Sequence, residues 1–353
     1  MKKGSTKRAV VVVGLDLGER NSQVCGVDAQ GDWVIERRIG TTKAGLASIF
    51  AKRPRLRVVL EAGGQARWVA EAVGAMGHEV KVVNPRKMRR IYENENKSDV
   101  VDARELAEAG LYRWAKLPVA YLRGQQAQEK LAVLRSRDLL VQGRTSLVNL
   151  VRSLLKQEGV RVQKCSTEAF PQRAGALVPA GLRVAAEPVL RTIMELTERV
   201  KELDRWIEAE AEHDSAVQSV RQIRGVGPVT GAAFVWTLED PGRFRKSRAV
   251  GSYLGLRPRR DQSGETDKQM PITKAGNSYL RRLLVGCAHY VLGPHGPDTA
   301  LRRWGLTLAQ RGGKRAKRKA VVAVARKLAV LLHHLWATGE VYEAFPAAKR
   351  AAA

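Results

Sequence analysis

The stretch 9-AVVVVGLDLG-18 wraps apolar residues around one carboxylate, Asp16, near the start of a 353-residue chain. So apolar a run reads as a strand, and an acid inside it is poorly suited to a solvated surface role. Working outward, SQVCGVDA follows, then a turn at Ala29-Gln30-Gly31-Asp32 and the run WVIERRIG, which together make a three-stranded meander. Beyond it the pattern predicts a helix over Lys43 to Lys52, a strand from Arg57 through VVLEA to Gly63, and a helix over Gln65 to Met76. A strand from His78 to Pro85 and helical patterning over residues 86–113 complete the segment. Strands that alternate with helices after a meander specify an α/β sheet.

Past about Gln125 the strand signal disappears. The run LAVLRSRDLLVQGRTSLVNLVRSLL is helical, and after a loop containing Gly159 to Gly181 a second helix spaces Val189, Ile193, Leu196, Val200, Leu203 and Ile207 alternately by four and three. That spacing is a coiled-coil seam, and two antiparallel helices of this kind form a stalk serving as a spacer or as a dimer contact. After Asp214 the chain turns to glycine-rich turns and dense base, with an apolar helix after 224-RGVGP-228 and a last amphipathic helix introduced by 311-RGGKRAKRK-319. The expected organisation is an α/β domain over 1–125, a helical stalk over 126–215 and a mainly α domain over 216–345.

Lys and Arg number 62 against 35 Asp and Glu, for a net charge of +27 and a pI near 10.5. A surplus this large marks a binder of polyanions, nucleic acid before a membrane surface. The longest apolar runs, VVVGLDL and AVVAVARKLAVLL, are too short or too charged to span a bilayer. The basic first residues are followed by a strand-like run with no small-residue cleavage site, so no signal peptide is expected and the compartment is the cytoplasm, close to the nucleoid. Cys25, Cys165 and Cys287 lie far apart without zinc-ligand spacing and read as reduced and buried.

The acids stand out against the base. Asp16 ends one strand, Glu61 ends another, and Asp99 and Asp102 lie three apart in 97-KSDVVDARELAE-108, sharing one face of a helix. Like charges so placed must be solvated or neutralised, and hard oxygen ligands suit Mg²⁺ or Mn²⁺. For Asp99 and Asp102 taken alone, a solvent face or favourable acids at a helix start would suffice. The ordered set of four favours a metal site.

That order after a three-stranded meander resembles the ribonuclease-H-like fold. More narrowly, GLDLG, LEAGG and KSDVVDA, followed by GVG, LGLRPRRDQSG and TKAGN, resemble the DEDD-type transposases of bacterial insertion sequences, recombinases guided by a bridge RNA. The resemblance spans roughly residues 10–125 and 218–340. It implies a metal-binding tetrad at Asp16, Glu61, Asp99 and Asp102, with Mg²⁺ or Mn²⁺ as cofactor. It also implies a nucleophile at Ser263 in 257-RPRRDQSGETD-267, a DNA-phosphoserine intermediate, donor and target DNA and a guide RNA as partners, and a homo-oligomer, dimer or tetramer.

A serine hydroxyl needs activation, no histidine lies near Ser263 in sequence, and paired metals are one source of it. Read without the family, Ser263 is a turn residue in a polar loop; Ser252 and Ser278, in helix-like contexts, look less exposed. Gly225 and Gly227 resemble a helix-hairpin-helix turn whose amides and following helix hold phosphate. Arg224, Arg257, Arg259, Arg260, Lys274, Arg281 and Arg282, with Lys314, Arg315, Lys317, Arg318 and Lys319, are the expected phosphate contacts. Aromatics make up 5% of the chain, which points to backbone and shape recognition before base stacking. Two other functions fit less of the sequence: a metal-dependent nuclease or junction resolvase that uses water, and a non-catalytic nucleic-acid-binding protein.

Overall fold

The computed structural model describes residues 9–88, 98–263 and 266–345, and among residues 263–269 the backbone alone where it is described. Two compact units form, Met1–Arg123 and Gly124–Ala353.

In the first unit β1 (Val12–Asp16), β2 (Asn21–Val27) and β3 (Trp33–Gly40) make the expected meander. Then come α1 (Lys43–Phe50), β4 (Arg57–Glu61), α2 (Ala66–Ala75), β5 (Glu79–Val83), α3 (Pro85–Met88) and α4 (Asp99–Arg113). The sheet order is β3-β2-β1-β4-β5, with β4 and β5 parallel to β1. This mixed α/β domain is compatible with the ribonuclease-H-like fold. Residues 89–97, part of the expected helical stretch, lie outside the described residues.

Alternation along the central strands divides the core. Val13, Leu15, Val58 and Leu60 join one apolar cluster with Leu46, Ile49 and Phe50 of α1 and Val69 and Val73 of α2. Val12 and Val59 face the other way, into clusters with Leu106, Ala107 and Ala109 of α4. A strand buried on both faces reads as a continuous apolar run, which is how β1 looks in the sequence.

The second unit opens with the long helices α5 (Gln125–Gln157) and α7 (Arg183–His213), separated by the short α6 (Phe170–Gly175). Their pairing is antiparallel: Lys130 meets Glu210, Arg137 meets Asp204 and Arg144 meets Thr197. Ile193, Val200 and Ile207 are buried as the spacing predicts. The other half of the seam departs from expectation by one residue. Leu190 and Thr197 are buried where Val189 and Leu196 are half-buried, and at the third position Leu203 and Asp204 are both half-buried. The reason is chemical: Thr197 and Asp204 are polar and escape an apolar pattern, yet arginines from α5 reach across to satisfy them.

Helices α8 (Ser215–Arg221), α9 (Pro228–Leu238), α10 (Arg248–Tyr253), α11 (Ser278–Leu292), α12 (Ala300–Ala309) and α13 (Gly313–Thr338) build the rest around one core. Between α10 and α11 the chain makes a hairpin of β6 (Pro258–Ser263) and β7 (Thr266–Ile272), where the sequence reads as a loop. Helix α13 is long and apolar enough by length and composition to cross a membrane. It is a longer helix than its quoted apolar run suggests, and Val324, Leu328 and Leu332 on it are buried in the core of the unit. Cys25 and Cys287 are buried free thiols, whereas Cys165 is half-buried.

Candidate active site

Asp16 is the last residue of β1 and Glu61 the last of β4. The two strands are parallel with Leu15 opposite Leu60, so the two acids leave adjacent strand ends. Both follow the alternation that turns Val12, Gly14 and Val59 toward α4, which puts Asp16 and Glu61 on the α4 face. Behind Asp16 the turn is tied down: Gln65 Nε2 donates to the Gly18 and Glu19 carbonyls at 3.0 and 3.1 Å, and Thr41 Oγ1 donates to the Gly18 carbonyl at 3.0 Å.

Helix α4 starts from Ser98, whose hydroxyl accepts from the Val101 amide at 3.3 Å, and Asp99 and Asp102 occupy its first turn. Such acids are favoured by the positive end of the helix dipole, which offsets part of their mutual repulsion. What brings them to the strand end is Gly14. A Cβ at that position would stand 2.0 Å from the Ala103 carbonyl oxygen and 2.5 Å from the Ala107 nitrogen. Only a glycine lets the helix backbone lie against β1. Gly110, one end further along, does the same over Val12 and Val59, at 2.6 and 2.8 Å. Helix α4 therefore runs antiparallel to β1, and its first turn arrives beside Asp16.

The electrostatics register this arrangement. Burial, then the charges of Asp102 and Asp99, push the Asp16 carboxyl up to about 6 from 3.8. Asp99 is exposed, while Asp16, Asp102 and Glu61 are half-buried. In chemistry the set fits a divalent cation, since all its donors are hard carboxylate oxygens and three of them repel one another. With the side chains as they stand, no three His, Cys, Asp or Glu among the described residues are close enough to enclose a metal ion.

A family profile described as a transposase, the DEDD type of IS110, matches residues 13–159. A second, described as the IS116/IS110/IS902 family of transposases, matches residues 217–304. The chain is 32% identical over 328 residues to a probable family 20 transposase of Pseudomonas aeruginosa, covering 91% of this chain and 95% of that one. The chain belongs to the IS110/IS116/IS902 family of insertion-sequence transposases. It is also 28% identical over 353 residues to the transposase for insertion sequence element IS1111A of Coxiella burnetii, covering 97% and 93% of the two chains. With the transposase for element IS1328 of Yersinia enterocolitica it shares 27% identity over 283 residues, 79% of this chain and 83% of the other. A transposase of this family cuts and rejoins DNA.

The remaining expected residues of this transposase all lie in the second unit. Ser263 ends β6 and pairs with Thr266 across the hairpin, so it sits on a strand end and not in an open loop. Ser252 on α10 and Ser278 at the start of α11 are in helices as expected, but both are exposed, so exposure does not set them aside. Gly225 has φ of +99° and the Tyr290 ring lies 2.5 Å from where a Cβ would be, while Gly227 precedes Pro228 at the start of α9. Arg224 is exposed beside them.

Arg257 and Arg259 are exposed and Arg260 lies opposite Gln269 in the hairpin. Lys274 is exposed in the left-handed region, with φ of +54°. Two of the expected phosphate contacts have other work in this structure. Arg281 donates to the carbonyls of Leu254 and Ala275, both at 2.9 Å, and Arg282 pairs with Asp138 of α5. Lys314, Arg315, Lys317, Arg318 and Lys319 are exposed and fall inside the first turns of α13, not ahead of it. Positive charge at a helix N-terminus opposes the dipole, so this cluster carries its own electrostatic cost until an anion offsets it. The sequence reading missed Gly14, and its signal was present: a glycine within a strand marks close backbone approach.

Proposed function

We propose that the protein recombines DNA of an insertion sequence through a covalent DNA–serine link, with Asp16, Glu61, Asp99 and Asp102 as the metal-binding tetrad and Ser263 as the nucleophile. The observation that carries this reading is the gathering of Asp99 and Asp102 beside Asp16, whose pKa burial first, and then these two charges, raise to about 6. Bound Mg²⁺ or Mn²⁺ supplies the positive charge that such a set lacks and polarises a phosphate oxygen. The Ser263 hydroxyl attacks the phosphorus and loses its proton. An Oγ–P bond forms, and the bond to the leaving DNA oxygen breaks as that oxygen takes up a proton. Attack by a DNA hydroxyl of the partner strand reverses these changes, frees the serine and joins the strands. Arg257, Arg259 and Arg260 flank the serine in sequence and neutralise the phosphate.

In this reading residues 1–125 bind metal, residues 126–215 form a coiled-coil stalk and residues 216–345 carry the serine, with a helix-hairpin-helix-like turn at Gly225 and Gly227. Donor and target DNA are read through a guide RNA, and the chain works as a homo-oligomer on nucleoid DNA in the cytoplasm. The test is a reaction on DNA bearing the element's ends, stopped by detergent. Wild-type protein should carry DNA removable by protease, peptide mapping should place it on Ser263, and Ser263→Ala should bind DNA without exchanging strands. An adduct on Ser252 or Ser278, or strand exchange with no adduct, overturns the mechanism. Cutting by Ser263→Ala would instead identify a nuclease that uses water.

A further inference from the structure

The register of the sheet carries a row of side chains away from the acids. Asp16 of β1 pairs with Gln23 of β2, and Gln23 pairs with Arg38 of β3. Side chains two apart on a strand share a face, and two contacts fix which face this is. Cys25, two along from Gln23, has its thiol 3.8 Å from the Val100 carbonyl of α4, and Glu36, two along from Arg38, pairs with Arg104 of α4. Gln23 and Arg38 therefore stand on the α4 face with Asp16. Glu61 leaves β4 on the other side of Asp16, so across the sheet the order is acid, acid, amide, base.

Gln23 is buried, with its amide at the Cys25 thiol, while Arg38 is exposed on an edge strand. Neighbouring strands stand about 4.8 Å apart, so two steps put the Arg38 backbone on the order of 10 Å from that of Asp16. Arg104, the neighbouring cation on this face, is already engaged: it donates to Glu36 and lies 5.2 Å from the centroid of the Trp33 ring. Arg38 is open to solvent in line with the acids.

A carboxylate cluster repels a DNA strand everywhere except at the phosphate that bound metal neutralises. A guanidinium just outside the cluster offsets that repulsion at a neighbouring phosphate, and its planar fork fits the phosphate oxygens. Arginines on an edge strand also discourage pairing with another sheet. Arg37 serves that end equally, but alternation sets it on the opposite face, between Ile35 and Ile39 of the apolar core. We infer that Arg38 holds a backbone phosphate of the strand being cut, within about three nucleotides of the scissile one at a rise of about 3.4 Å each. The inference rests on the reading of the acids as the cutting site, and it gives the strand a direction across the sheet, from β4 and β1 toward β3.

The experiment uses the full chain on DNA bearing the element's ends. Strand cutting is read with Mg²⁺, and the salt dependence of binding is read without metal by fluorescence anisotropy. Arg38→Ala should cut about tenfold more slowly, as loss of a charge-assisted contact implies, and should flatten the slope of log affinity against log salt by about one unit. Arg38→Lys keeps the charge, and the protection of the edge strand with it, and should recover most of both. Arg37→Ala should match wild type. Uncharged methylphosphonates placed singly along the strand then locate the contact: at one position the substitution should slow wild type about tenfold and slow Arg38→Ala no further. Additive losses at every position, or equal losses in Arg37→Ala and Arg38→Ala, overturn the contact. Asp102→Asn separates this inference from the reading beneath it. If Asp102→Asn fails to cut while Arg38→Ala cuts like wild type, the Arg38 assignment alone falls. If Asp102→Asn cuts like wild type, the acids are not the cutting site and both fall.

Discussion

Gly14 decides where the acids meet. An alanine there has to displace the α4 backbone, because the atoms it meets are a carbonyl oxygen and an amide nitrogen and neither can rotate away. Gly14→Ala should therefore cost about 1–3 kcal/mol, the usual range for overpacking, measured by urea unfolding. It should also move the first turn of α4 off Asp16. Unchanged stability would show that α4 does not lie so close. The neighbouring acid gives a second test at the same scale. Asp16 holds its proton more tightly in the folded protein, at about 6, than in the unfolded chain near 3.8. Stability is therefore full below about pH 4 and falls as pH rises through 4 to 6, because the folded state must then carry the charge. In metal-free protein Asp16→Asn should remove that fall, so its melting temperature should match wild type at pH 4 and exceed it at pH 7. Equal curves across that range would mean that neither burial nor the charges of Asp102 and Asp99 raise the Asp16 carboxyl. The carboxylates were legible in the sequence because an acid in an apolar strand is conspicuous. What joined them was less so, since a glycine announces close approach without saying to what.

The elements were legible where their pattern is apolar and obscure where polar groups do the packing. The meander and parallel strands follow from runs of valine and leucine. The β6–β7 hairpin does not, because 258-PRRDQS-263 carries no alternating apolar face, and a two-stranded hairpin holds only if something anchors it. Ile272 packs against the core of the second unit, and the Thr273 amide donates to the Arg257 carbonyl at 3.0 Å. The α5–α7 seam shows the same limit. Arg137 makes two hydrogen bonds to Asp204 and is mostly covered, whereas the Arg199–Glu202 pair on one exposed face of α7 is open to water. A double-mutant cycle on Arg137→Met and Asp204→Leu should give a coupling of about 1 kcal/mol or more, and one on Arg199 and Glu202 about 0–0.5 kcal/mol. Equal couplings would mean that the Arg137–Asp204 pair adds nothing to the pairing of α5 and α7 beyond a surface ion pair.

At the scale of the whole molecule a net charge of +27 announces a polyanion partner without saying which arginines touch it. Composition treats Arg281 and Arg315 alike; the fold separates them. Arg281 is half-buried, burial lowers its pKa, and its guanidinium bridges the Leu254 and Ala275 carbonyls, tying the end of α10 to the turn before α11. Removing it leaves two carbonyls without their donor. Arg315 is exposed in the first turn of α13, in a cluster whose charges oppose the helix dipole and gain when a phosphate arrives. Each phosphate contact releases counterion and contributes nearly one unit to the slope of log affinity against log salt. Arg315→Ala and Lys314→Ala should therefore each flatten that slope on DNA by about one unit and leave the unfolding midpoint unchanged, or raise it slightly by relieving the dipole. Arg281→Ala should do the reverse, lowering stability by about 1–3 kcal/mol, the cost of unsatisfied buried groups, with the salt slope kept. A flattened slope for Arg281→Ala at full stability would return that arginine to the nucleic-acid surface, and an unchanged slope for Arg315→Ala and Lys314→Ala would take the start of α13 off it.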